Sequence, residues 1–153
     1  MVIKMSNNKL AIVLIRGMVN ISPDVKKTLE LLRLHKKHVC VVVEDNEVSR
    51  GMVRRVKDYV TYGTIDQETF ETILEKRAQL TLDKKIDTKK IAKDYFDNQI
   101  KLKEFESLGL KPFFRLHPPK GGFERGGIKM PYAKGGVLGD RKDNMKDLIS
   151  KML

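Results

Sequence analysis

HVCVVVEDNEVSRGMVRRVKDYV, residues 38 to 60, joins an apolar β-branched run to a segment of helical periodicity. The run HVCVVV at 38–43 is short and apolar throughout, which suits a strand covered on both faces better than a helix. Across 46–60, Val48, Met52, Val56 and Tyr59 or Val60 recur along one side, predicting a helix capped by Asp45 or Asn46. Arg50, Arg54 and Lys57 follow at i, i+4 and i+7, with Arg55 beside them. That ridge reads either as a solvated helix face or as a row of cations for phosphates, and the pattern leaves both open. Gly51 inside the helix costs about 1 kcal/mol relative to alanine, which points to close packing or a close backbone approach there.

Working outward, KLAIVLIR at 9–16 is a second short strand pattern, ending at Gly17. Ser22, Pro23 and Asp24 mark a helix start, and Val25, Leu29 and Leu32 continue it toward a stop near His35 to Lys37. YVTYGTI at 59–65 is a third strand. Strand, helix, strand, helix, strand within 66 residues predicts an α+β sandwich of two layers, the helices covering a small sheet. Asp66 caps a further helix, QETFETILEKRAQL, with Ile65 and Phe70 as a hydrophobic staple. After a polar connection at 81–87, a longer helix is expected from Thr88 to about Leu108, with Ile91, Tyr95, Leu102 and Phe105 on one side and Gly109 as its stop. Met145, Leu148, Ile149 and Met152 mark a last amphipathic helix. The chain divides into a core at 1–66, a helical region at 67–110 and an extension at 111–153.

The 153 residues hold 31 Lys and Arg against 20 Asp and Glu, a formal net charge of +11. Counted by region, the core carries +5, the helical region zero and the extension +6. The ends therefore bear the cationic surface, and nucleic acid or an anionic membrane is the expected partner class. No apolar run approaches the roughly 20 residues of a membrane-spanning helix. MVIKMSNNK at the start lacks the apolar centre of a signal peptide, so a cytoplasmic protein is expected. Cys40 sits within a strand pattern as a small apolar side chain. His35, His38 and His117 have no partners at metal-ligand spacing, and no catalytic constellation stands out, so neither metal nor cofactor is expected.

Residues 111–139, KPFFRLHPPKGGFERGGIKMPYAKGGVLG, hold seven of eleven glycines, four of five prolines and six cations against Glu124 alone. On composition this segment buries too little apolar area to order itself, and a phosphate-rich partner would order it through cations, backbone N–H groups and stacking rings. The plainer reading is a flexible basic tail. GGFERGGIK lacks the phosphate-loop pattern and its strand–helix setting. Signatures of the common RNA-recognition and KH modules are absent too, leaving shape and backbone recognition of RNA.

SRGMVRRVK at 49–57, following VVVED and preceding YVTYGTID, resembles the L-thirty family of large-subunit ribosomal proteins, called L-seven in its eukaryotic branch. KLAIVLIRG, QETFETILEKRA, FRLHPPKGGFE and GGVLGDR resemble it as well, so the likeness covers nearly the whole chain. Bacterial members resemble only residues 9 to about 66, and eukaryotic members add a basic arm before the first strand, so the chain looks like the archaeal form. The resemblance implies a ferredoxin-like core with an antiparallel sheet, a structural place on large-subunit ribosomal RNA beside other ribosomal proteins, and no catalysis. It carries RNA contacts onto Arg16, Arg50, Arg54, Arg55 and Lys57, and in the extension onto Arg115, His117, Lys120, Arg125, Lys129, Lys134 and Arg141. Gly121, Gly122, Phe123 and Tyr132 join these as backbone and ring contacts. A free RNA-binding regulator and a small phosphate-handling enzyme are the competing readings.

Overall fold

In a computed structural model, residues 9–17, 21–44, 46–77, 88–96, 113–123, 125–128, 130–141 and 144–153 are described. The first strand, β1 (Lys9–Leu14), is paired antiparallel on both sides. Its neighbours are β2 (Val39–Glu44), with Val13 opposite Cys40, and β3 (Val60–Ile65), with Ile12 opposite Tyr62. Side chains alternate across a strand, and here both sets are apolar. Leu10, Ile12 and Leu14 enter one core, and Ala11, Val13 and Ile15 enter a second.

Helices α1 (Pro23–Leu31) and α2 (Glu47–Arg55) supply Leu29 and Val53 to the first core. Ser22 caps α1 by accepting from the Val25 amide, and Asn46 caps α2 by accepting from Ser49. α1 ends earlier than expected. Arg33 takes a left-handed φ of 63°, and the Leu34 amide donates back to the Leu29 carbonyl at 2.9 Å. With Arg33 N–H donating to Glu30, this is a Schellman closure whose apolar contact joins Leu29 and Leu34. α2 likewise stops at Arg55, so Lys57 lies in the following turn and not on the helical ridge. Gly51 differs from expectation as well: it is exposed, and a Cβ there would meet nothing within 4 Å.

The second face of the sheet carries its own layer, which the two-layer expectation did not include. α3 (Gln67–Arg77), α4 (Thr88–Phe96) and α5 (Met145–Met152) cover it with Phe70, Ile73, Tyr95, Phe96, Leu148 and Ile149. Asp66 caps α3, accepting from the Thr69 amide and hydroxyl, and this holds its carboxyl below the usual carboxylate range. The Tyr95 hydroxyl donates to the Val42 carbonyl at 2.6 Å, and its ring carries the buried Lys9 ammonium at 4.7 Å from the centroid. The expected continuation of α4 toward Leu108, with Leu102, Phe105 and Gly109, lies outside the described residues, as do the connection at 81–87 and Asp45.

The extension completes the sheet. β4 (Phe114–Arg115) pairs antiparallel with β2, and β5 (Gly139–Asp140) pairs parallel with β3. The order is β4-β2-β1-β3-β5, so a ferredoxin-like antiparallel core becomes a mixed sheet with both edges drawn from the extension. Within 113–123, 125–128 and 130–139, the expectation that this segment buries too little to take a fold of its own is corrected. Phe114, Leu116, Val137 and Leu138 are buried, and Phe114 meets Phe70 edge-on at 6.1 Å. Composition hid this because these four apolar residues are scattered among glycines and prolines, with no periodicity to mark them.

Candidate nucleic-acid interface

Exposed cations gather around the end of α2. Arg54 and Arg55 are exposed in its last turn, where cations suit the negative end of the helix dipole. Arg50 is partly buried near Tyr62, whose phenol is pushed up by burial and then by the Asp140 charge, with Arg50 and Arg54 opposing the rise. Lys57 is exposed in the turn before β3. Arg16 reaches the same turn from β1: its guanidinium donates to the Asp58 carbonyl at 3.4 Å and lies 5.2 Å from the Tyr59 ring centroid. The Tyr59 carbonyl accepts from the amides of both Ile15 and Arg16, so that pairing is built into the backbone.

The extension's residues fall into three groups. Arg115, His117 and Lys120 are exposed at the β4 side of the sheet, with the His117 and Lys120 amides donating to the Met152 and Lys151 carbonyls at the end of α5. Gly121 and Gly122 follow as an exposed turn with φ near 80°, closed by the Gly122 amide on the Pro119 carbonyl. Arg125 and Lys134 are exposed, Lys134 within a short 3-10 turn at Tyr132–Lys134; Lys129 lies outside the described residues.

The third group faces inward. Arg141 is 3% exposed. Its Nε donates to the Thr61 hydroxyl at 2.8 Å and its guanidinium covers the Tyr132 ring at 4.7 Å. Arg141, expected as an RNA contact, stands here as a buried strut between β3 and the extension. Tyr132 is engaged too, its hydroxyl accepting from Asn144 at 2.9 Å. Phe123 stacks on His38 with centroids 6.1 Å apart. His38 itself has a left-handed φ of 66°, bonds to Leu14 and Leu116 through its backbone, and holds a buried Nδ1 without a hydrogen-bond partner among the described residues. Burial, then the Lys37 charge, pushes its imidazole down.

Sequence reasoning passed over Gly126 and Gly136. A Cβ on Gly126 would lie 2.6 Å from the Gly135 carbonyl oxygen, and one on Gly136 would collide with the Met130 backbone. Their close approach holds the extension's own turns together. Burial raises the Cys40 thiol to about 12, which keeps it neutral. Among the described residues no cluster of His, Cys, Asp or Glu is placed to hold a metal ion, and no helix is long and apolar enough to cross a membrane.

The described residues form a three-layer α+β domain, with exposed Arg and Lys around one helix end and along the extension, in a chain of net charge +11, a balance that attracts polyanions. The chain belongs to the ribosomal protein L30p/L7e family, whose model matches residues 10–60. It is 40% identical to the large ribosomal subunit protein uL30 of Methanococcus vannielii over 154 residues, spanning 94% of this chain and 98% of that one. The proteins of the same name from Methanopyrus kandleri and Nanoarchaeum equitans are each 36% identical, across 99% and 97% of their lengths. The archaeal likeness thus runs through the helical region and the extension as well as the core.

Proposed function

We propose that the chain is a structural constituent of the large ribosomal subunit in the cytoplasm, holding large-subunit ribosomal RNA through phosphate and shape contacts, without catalysis, beside neighbouring ribosomal proteins. The observation that carries this reading is the near full-length likeness to large-subunit proteins combined with exposed cations at Arg54, Arg55 and Lys57. Arg16 and Arg50 flank these, and Arg115, His117, Lys120, Arg125 and Lys134 extend the cationic surface along the extension. Gly121 and Gly122 present an exposed backbone turn to the same partner. Lysine and arginine on phosphates provide affinity without reading sequence, as suits a protein fitted to one folded RNA. Co-sedimentation tests it: the chain stays with large-subunit particles through a wash at moderately high salt. Release under that wash would favour a free RNA-binding regulator instead.

A further inference from the structure

Where the extension meets the core, a cleft of about 350 Å³ opens. Arg16, Lys57, Asp58 and Tyr59 line it from the core, and Pro131, Leu138 and Gly139 from the extension. Both sides are held in place. The Tyr59 carbonyl binds the amides of Ile15 and Arg16 at 3.0 and 3.1 Å. On the other side, Leu138 bridges to Pro131, its carbonyl accepting from Tyr132 at 2.7 Å, while Gly139 pairs with Thr61 of β3. A ring, a guanidinium laid against it, and two apolar side chains make a surface for a flat aromatic guest.

We propose that this cleft receives one unpaired nucleobase of RNA, stacked against Arg16 and Tyr59, with Lys57 at the adjoining phosphate. The proposal rests on the reading of the chain as a ribosomal RNA-binding protein. Size argues for a single base, because the volume falls at the low end of the roughly 300–1,000 Å³ of small-ligand clefts, and a duplex cannot enter it. Chemistry argues for a base and against a bare phosphate. Tyr59, Pro131 and Leu138 offer no charge, and Asp58 is an acceptor that an exocyclic amino group satisfies and a phosphate does not. Stacking on tyrosine rings and arginine planes is the usual way an extruded base is held. Another cavity, about 190 Å³ beside Tyr132, Arg141 and Asn144, falls below the roughly 300 Å³ lower end of small-ligand clefts.

The test uses the full chain, isotope-labelled, titrated with a single-stranded hexaribonucleotide and separately with a duplex of the same sequence. The single strand shifts the amides of Asp58, Tyr59, Leu138 and Gly139 saturably, and the duplex leaves them in place. Tyr59→Leu lowers the ratio of single-strand to duplex affinity about tenfold; Arg16→Gln, which keeps the Tyr59 ring but removes the guanidinium plane, lowers it as well. Unmoved cleft amides, or an unchanged ratio in both variants, would overturn the cleft while duplex binding preserved the broader reading. Failure of the unaltered chain to bind either RNA would remove both.

Discussion

The Nε of Arg141 donates to the hydroxyl of Thr61 at 2.8 Å, joining two residues 80 positions apart inside the protein. Thr61 in turn donates to the Gly139 carbonyl, so the β3–β5 pairing and the arginine form one buried unit. Replacing Arg141 with methionine keeps apolar bulk but leaves the Val137 carbonyl and the Thr61 oxygen short of a donor. The expected cost is about 1–3 kcal/mol of unfolding free energy, read by urea denaturation. A surface arginine engaged only with phosphate would show almost no such cost.

Arg54 and Arg55 predict the reverse pattern. Both are exposed, so Arg54→Glu with Arg55→Glu should cost only the helix-dipole contribution at the end of α2, about 1–2 kcal/mol. Affinity for large-subunit RNA should fall, and the plot of log affinity against log salt should flatten by about one unit for each phosphate no longer neutralised. An unchanged slope would identify the pair as solvated surface.

His38 makes the extension's anchorage sensitive to acid. Its imidazole is held below the ordinary value of 6.5, so the unfolded chain takes up a proton more readily than the folded one. Its contribution is fully present above 6.5 and is lost as pH falls from there through the lower folded value. The midpoint of thermal unfolding should therefore drop as pH is lowered below 6.5, and His38→Gln should flatten that decline. Fluorescence or amide shifts near Phe123, which stacks on this ring, should follow the same curve.

Two glycines should respond in opposite directions. Gly51→Ala adds a methyl where nothing stands within 4 Å and should stabilise the isolated protein by up to about 1 kcal/mol. Gly136→Ala drives a methyl into the Met130 backbone and should destabilise by about 1–3 kcal/mol. Calorimetry of the two variants checks both signs.

The three central strands, the caps at Ser22 and Asn46, the Asp66 start of α3 and the apolar face of α5 were all legible in the order of residues. Each depends on neighbours a few positions apart, and strand alternation, helical spacing and capping hydrogen bonds are short-range physics. The same is true of the basic character of α2 and its turn. Tertiary structure alone decided that α3, α4 and α5 form a second layer, because a strand apolar on both faces does not say what covers it. It also decided that the extension closes both sheet edges, since strands of two residues leave no pattern and exist only through the partner they pair with. Whether an arginine faces water or the interior is decided by the same long-range packing. Arg115 and Arg141 read alike along the chain, yet one is exposed and the other buried, because only Arg141 meets Thr61 and Tyr132 across the fold.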